Sequence, residues 1–329
     1  MRNILSIYSN CSMGGMTTVY KNRIADSPSD RHHMVFKNDF GARGVFESYE
    51  NARVDIADKG RLEAFVKYAY STATYDEVRI TSLPVIANIL LDIAPDNVVY
   101  EFHSSTETIL KTEVDILNLD KLKHIIVPSL YLQNIIVSML PSECTVDVKV
   151  LPNIVDNSIF FQKQSNMIWD FRKESIPLIW IGRFDKGKNA RDFLRALSLL
   201  PESYIGLLVV SMETEPERAS SFMADVVSYR LDERVHIMMN LSQEEIAALY
   251  SYVSGKHGVF VSTSLGESFG YGVAEALACG LDTVAYDVGA LAEREPLAGC
   301  AYSLVDVGDL SALRQEITRL HDSRVLNRV

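Results

Sequence analysis

Long apolar runs are missing from this chain. No stretch approaches the roughly 18 consecutive apolar residues of a membrane-spanning helix, and the opening Met1-Arg-Asn-Ile-Leu-Ser-Ile-Tyr-Ser9 is too short and too soon interrupted for a secretory signal. Any bilayer contact is expected to be peripheral. Cysteine is scarce: Cys11, Cys144, Cys279 and Cys300 lie far apart, with no Cys-x-x-Cys pair. This argues against a zinc ribbon or a disulfide framework and fits reduced thiols in a cytosol. Positive charge is short too. With 32 Lys and Arg against 43 Asp and Glu, the net charge is −11, which repels nucleic acid and gives anionic lipid no polybasic handle. Neither a Gly-x-Gly-x-x-Gly dinucleotide fingerprint nor an Asp-x-Asp triplet occurs, so no metal site is expected.

What is present is an ordinary globular composition, 47% hydrophobic and 23% charged over 329 residues. That is too long for one average core, so two domains are expected. Short β-type runs alternate with longer helical patterns. In the first half the strand candidates are Asn3–Ser9, Met34–Phe36, Glu77–Thr81, Val98–His103, Ile125–Val127 and Val146–Leu151. Helical patterns fall at Arg61–Tyr70, Val85–Ile93 and Tyr131–Leu140. The second half continues with strands from Leu178, at Ile205–Val210, Val235–Met239 and Val259–Ser262, and helices at Ala190–Leu200, Ala219–Tyr229, Gln243–Tyr252 and Leu310–Leu320. Such alternation predicts an α/β protein with parallel sheets covered on both faces. Residues 37–52, with Gly41 and Gly44, read as a mobile loop, and 157–176 as a polar linker after a hinge at Val150–Asp156. The domain boundaries predicted are 1–155 and 156–329.

The most legible chemistry lies in Ser262-Thr-Ser-Leu-Gly-Glu267-Ser-Phe-Gly-Tyr-Gly-Val-Ala-Glu275-Ala-Leu-Ala-Cys-Gly280. A strand breaks at Ser264, Gly266 and Gly270, then Phe269, Val273 and Leu277 recur at helical spacing until Gly280. Glu267 falls in the turn at the helix mouth and Glu275 two turns inside. A helix mouth with free N–H groups holds anions, which makes the Glu267-Ser268-Phe269-Gly270 turn a ligand candidate. Ionised carboxylates only accept hydrogen bonds and sugar hydroxyls donate them, so acids beside an anion site suit a hydroxyl-bearing anion. A solvated turn and a helix start favoured by the dipole would also accept these two residues.

Three further places are candidates. Gly14-Gly15 follows the first strand and lets backbone approach a phosphate at a helix start. Arg183 and Lys188 follow the strand that begins at Leu178, and a planar fork beside a point charge suits a diphosphate leaving group. His103 ends the Val98–His103 run, where open α/β sheets bind ligands, although a lone His is more often a satisfied structural residue.

Glu267-Ser-Phe-Gly-Tyr-Gly-Val-Ala-Glu275 resembles the Glu-x7-Glu element of retaining GT-B glycosyltransferases of the family-four type. Gly14-Gly15, His103, Pro152-Asn-Ile-Val-Asp156 and Arg183 to Lys188 resemble that family's other motifs in its order, so the resemblance covers most of the chain, densest from Trp180 to Glu293. It implies two Rossmann-like domains with parallel sheets facing a central cleft, the first on the acceptor side and the second binding a nucleotide-sugar donor. It implies that Glu267 and His103 meet the donor sugar, Glu275 the ribose, Gly14, Gly15, Arg183 and Lys188 the diphosphate, and the loop at Asn240 the base. Its reaction is retaining transfer of a hexosyl unit from a nucleotide-diphosphate sugar, UDP-sugar foremost, to a glycan, lipid-linked or small-molecule hydroxyl. No cofactor beyond the donor and no metal is implied, and the setting would be cytoplasmic or at the inner face of the membrane, in cell-surface glycan synthesis. Ile154 and Asn240 stand where the family commonly has Gly and Thr283 where it often has Pro, and the chain stops where relatives continue into a returning helix. A nucleotide-sugar epimerase or hydrolase, and a catalytically silent binding subunit, remain open alternatives.

Overall fold

The computed structural model describes residues 1–329 apart from 59, 94–95, 165–168, 170, 172–173, 211–215, 297–298 and 327–329. The chain forms two compact units, Met1–Ile154 and Val155–Val329. Among the described residues no helix is long and apolar enough to cross a membrane.

The first unit runs β1 (Asn3–Ser12), α1 (Gly15–Asp26), β2 (Arg31–Phe40), β3 (Ala52–Ile56), α2 (Leu62–Thr72), β4 (Glu77–Thr81), α3 (Pro84–Leu91), β5 (Val98–Glu101), α4 (Glu107–Ile116), β6 (His124–Val127), α5 (Leu130–Met139) and β7 (Val148–Val150). Its seven strands lie in the order β3-β2-β1-β4-β5-β6-β7, and every pairing is parallel. The second unit runs β8 (Ile176–Gly182), α6 (Ala190–Ser198), β9 (Tyr204–Val210), α7 (Pro216–Ser228), β10 (Val235–Met239), α8 (Gln243–Gly255), β11 (Val259–Ser262), α9 (Tyr271–Ala278), β12 (Thr283–Tyr286), β13 (Tyr302–Val305) and α10 (Leu310–Leu326). Its six parallel strands follow β10-β9-β8-β11-β12-β13.

Central strands such as β5, β6, β8, β9, β11 and β12 are buried on both faces and read as largely apolar runs. Along β8 the side chains alternate: Leu178 and Trp180 enter one core with Phe193 and Leu197 of α6, while Ile179 enters the other with Phe260, Val273 and Leu277. In the first unit Tyr100 and Phe102 point into one core and Tyr20, Met34 and Phe36 into the other.

Three expectations need correction. Residues 37–52 are not a loop: β2 continues to Phe40, a 3-10 turn covers Arg43–Phe46, and β3 begins at Ala52. Ala42 and Phe46 are buried against Tyr20 and Phe36, so apolar anchors the glycines had obscured hold this segment. Part of 157–176 lies outside the described residues, but Phe160 is 1% exposed in the core of the second unit, so this end packs rather than merely links. Finally, α9 begins at Tyr271, which puts Glu275 about one turn inside rather than two.

All four histidines of the first unit, His32, His33, His103 and His124, have pKa values held below the ordinary 6.5, chiefly by burial. The unfolded chain therefore binds protons near pH 6.5 that the folded unit does not. Stability is complete above that pH and declines as pH falls below it. The melting temperature followed by circular dichroism is expected to drop between pH 7.5 and 5.5, and a flat profile would contradict this.

Candidate functional site

Both sheets reverse their direction of growth once. In the second unit β8 grows outward through β9 to β10, after which the chain returns and β11 pairs with the opposite edge of β8. Ligands of open α/β sheets bind beyond the strand ends at such a switch point. Here those ends carry the Arg183–Asn189 turn after β8 and the Thr263–Gly270 turn after β11.

The first turn is shaped by a residue the sequence did not single out. Asp185 Oδ2 lies 2.8 Å from Arg183 Nη2, and its Oδ1 accepts the Lys188 backbone N–H at 2.9 Å. Arg183 itself stays exposed. A buried relay ties the two turns together: Trp180 Nε1–H donates to Thr263 Oγ1 at 3.1 Å, and the Thr263 hydroxyl donates to Asn189 O at 2.8 Å. Leu265 N–H adds a bond to Gly187 O at 2.7 Å. Each such bond contributes about 1 kcal/mol net, and leaving one of its buried groups unpaired costs more.

Across this junction Lys188 Nζ donates to Glu267 Oε1 at 2.6 Å, though the two are 79 residues apart. Their side chains are 31% and 14% exposed, so the pair faces solvent only in part. The Glu267 turn is held from behind. The 3-10 turn Gly289–Glu293 presses its backbone on Glu267, with Ala290 N–H donating to Glu267 O at 2.9 Å. The guanidinium of Arg294 lies 4.1 Å from the centre of the Phe269 ring and donates to Phe269 O. Neither contact has a sequence signal beyond a basic residue in a loop.

Gly270 caps α9 in the left-handed region, φ 79°, which favours glycine. Having no side chain, it offers the first-turn N–H groups no cap, leaving that helix end suited to an anion. Glu275, on the second turn, is 9% exposed. Beside it, burial first and the Glu275 carboxylate second push the Cys279 thiol up to about 12, and the same two causes raise the Tyr250 phenol. Cys279 is thereby kept a thiol and has no nucleophilic character. Ser268 and Phe269 sit in the turn, Phe269 buried and edge-on to Tyr271 at 4.9 Å. Asn240 follows β10, exposed and left-handed at φ 54°, a conformation Asn tolerates better than most residues.

In the first unit the same geometry recurs. Strand order reverses at β1 and β4. Gly14 and Gly15 follow β1, both exposed, with open space where a Cβ would stand. Glycine is therefore not demanded there by the packing of this unit. His103 lies two residues past the end of β5, its side chain 7% exposed, and its Nε2 is 3.1 Å from Glu101 Oε2.

Residues 176–323 match the family model described as Glycosyl transferases group 1. Among curated proteins, the chain is 24% identical over 135 residues to a probable sucrose-phosphate synthase of Thermosipho melanesiensis, covering 41% of this chain and 31% of that protein. It is 30% identical over 122 residues to a sucrose synthase of Nitrosomonas europaea, covering 33% of this chain and 15% of that one. The chain thus spans about a third or less of these relatives' length. Among solved structures, Anabaena Alr3699/HepE in complex with UDP and glucose superposes with a TM-score of 0.80 at 19% identity, covering 97% of this chain and 89% of that one. Sucrose-phosphate synthase from Thermosynechococcus elongatus gives 0.79 at 20% identity, covering 97% and 90%. With its two parallel α/β sheets this chain has the fold of the GT-B glycosyltransferases, and its second unit carries their group 1 domain.

Proposed function

We propose that the protein is a retaining glycosyltransferase that moves a hexosyl unit from a UDP-sugar to an acceptor hydroxyl. The observation that carries this is the Lys188–Glu267 pair, set at the switch point of the second sheet beside the mouth of α9. A cation for phosphate oxygens, an uncapped helix end and an acceptor-only carboxylate for hydroxyls are the three groups a sugar diphosphate calls for. The likeness to HepE, solved with UDP-glucose, favours uridine and glucose as the first donor to try.

In this scheme the donor diphosphate takes Lys188 and Arg183 as partners, and Glu267, released from Lys188, accepts hydrogen bonds from the sugar. Glu275 holds the ribose hydroxyls, Asn240 and its loop meet the base, and Ser268, Phe269 and Gly270 offer backbone at the helix mouth. The family resemblance assigns Gly14 and Gly15 to the diphosphate and His103 to the sugar. As the anomeric C–O bond breaks, charge grows on the departing diphosphate, and the fixed cations and helix dipole stabilise that charge more than the ground state. The acceptor oxygen forms the new bond on the face the leaving group quits and its proton passes to an oxygen of the departing diphosphate, so no enzyme nucleophile is invoked.

A thermal-shift screen of nucleotide sugars tests the proposal. A true donor at 100 times its dissociation constant stabilises the fold by about 2.7 kcal/mol. Glu275→Ala is expected to weaken UDP binding about tenfold to a hundredfold, the loss of hydrogen bonds to a charged group, as measured by calorimetry. Unchanged affinity removes Glu275 from the site. Donor turnover without an acceptor would instead identify an epimerase or hydrolase, and binding without turnover across an acceptor panel a silent subunit.

A further inference from the structure

We infer that Glu101 is a positioning residue for His103, holding its imidazole as the Nε2–H tautomer, with Arg23 as the counter-ion that keeps Glu101 ionised. The inference rests on the sugar-facing role proposed for His103.

Residues alternate along an extended strand, so Tyr100 and Phe102 enter the apolar core while Glu101 and His103 emerge together on the opposite face. Glu101 is completely buried. Arg23, from α1, places Nη1 2.8 and 2.9 Å from its two carboxylate oxygens, and Arg79 of β4 lies 3.8 Å from Oε1 while pairing with Glu77 of its own strand. Tyr20 of α1, whose hydroxyl meets Thr81 Oγ1 at 2.9 Å, also lies within reach of the carboxylate's charge. Arg23 and Arg79 are thus already balanced by Glu101 and Glu77, and His103 is not needed as a counter-charge. Arg23 is 8% exposed, and its Nη2 finds no hydrogen-bond partner among the described residues. A buried guanidinium with an unmet N–H is costly, and its placement satisfies Glu101 before itself.

Opposed by burial, the cations and His103 hold the Glu101 carboxyl well below the usual range. Burial likewise lowers the His103 pKa and keeps the ring neutral. An ionised carboxylate only accepts, so the bond at 3.1 Å requires the proton on Nε2. Nδ1 then carries the lone pair. That nitrogen can only accept, and the fixed carboxylate partner at Nε2 prevents the ring from switching its tautomer.

The test is nitrogen NMR of the imidazoles in the whole protein at pH 7.5, with the His103 signals assigned by their loss in His103→Gln. The expected wild-type pattern is a neutral ring protonated at Nε2. Because Glu101→Gln leaves Arg23 buried without a counter-ion, the paired variant Glu101→Gln with Arg23→Gln is measured beside it. Loss of the single Nε2–H tautomer in the folded variants supports the inference. A protonated or Nδ1–H ring in the wild type, or an unchanged tautomer in both variants, overturns it. With UDP-glucose turnover as the second readout, kcat is expected to fall about tenfold to a hundredfold at nearly constant KM, as for other partners that orient a working histidine. A shifted tautomer with undiminished turnover would uphold the positioning and instead remove His103 from the transfer reaction.

Discussion

Replacing Lys188 with alanine is expected to lower the turnover of the donor sugar by about 10²- to 10³-fold, the usual consequence of removing one preorganised charge from a developing oxyanion. The side chain is partly exposed and paired with Glu267. An ion pair of that kind contributes about 0–1 kcal/mol to folding, so the melting temperature should shift by only a few degrees. The kinetic effect is thus separable from stability. Because the charge on the diphosphate increases as the glycosidic bond breaks, kcat should suffer more than the affinity for UDP. Glu267→Gln gives a complementary test: it removes the charge that Lys188 opposes while keeping a hydrogen-bonding group of the same size. If Lys188→Ala turned over donor at the wild-type rate, the pair would be a surface ion pair and the proposed reaction would lose its main support.

A second large effect is expected from Gly289→Ala, this time on the fold itself. At φ +58° the residue occupies the left-handed region, and a Cβ there would stand 2.1 Å from Glu267 O and 3.0 Å from Glu267 N. Left-handed backbone costs an alanine roughly 1–2 kcal/mol, and the clash adds a displacement of the Glu267 turn. A total of about 2–4 kcal/mol falls in the range of strongly destabilising substitutions with a named steric cause. Gly308→Ala is the control. Gly308 also has positive φ, +80°, but nothing lies within 4 Å of its Cβ position, so it pays the backbone strain alone. The difference in melting temperature between the two variants isolates the clash on Glu267, and donor turnover should be lost only in Gly289→Ala. Equal melting temperatures would mean that the Glu267 turn is not held by the Gly289–Glu293 segment.

Much of the fold was legible because its signals are local. Strands such as Glu77–Thr81, Val235–Met239 and Val259–Ser262 are short and rich in apolar or β-branched residues, and the structure keeps those bounds. The weak places were those where local and tertiary signals disagree. Glycines at 41 and 44 suggested a loop, yet Ala42 and Phe46 are buried by neighbours distant in sequence. The edge strand β3, Ala-Arg-Val-Asp-Ile, is half-exposed and polar at alternate positions, and went unnoticed beside that segment. Glu101 was passed over for a related reason: a charged residue inside an apolar strand reads as noise until α1 is seen to bring Arg23 against it.

By itself the sequence determined the alternation of strand and helix, the parallel two-sheet class and the residue types in each turn, since hydrophobic period and glycine breaks act over a few residues. It named Glu267 and Lys188 but could not join them. Their pairing depends on β11 lying beside β8, and strand order is fixed by the packing of whole sheets rather than by any one segment. The same holds for Asp185 as organiser of its turn, for Arg294 over Phe269, and for the Glu101–His103 pair. Each is a contact between side chains whose individual propensities carry no record of the partner, because its energy exists only once burial has removed the water that would otherwise take the partner's place.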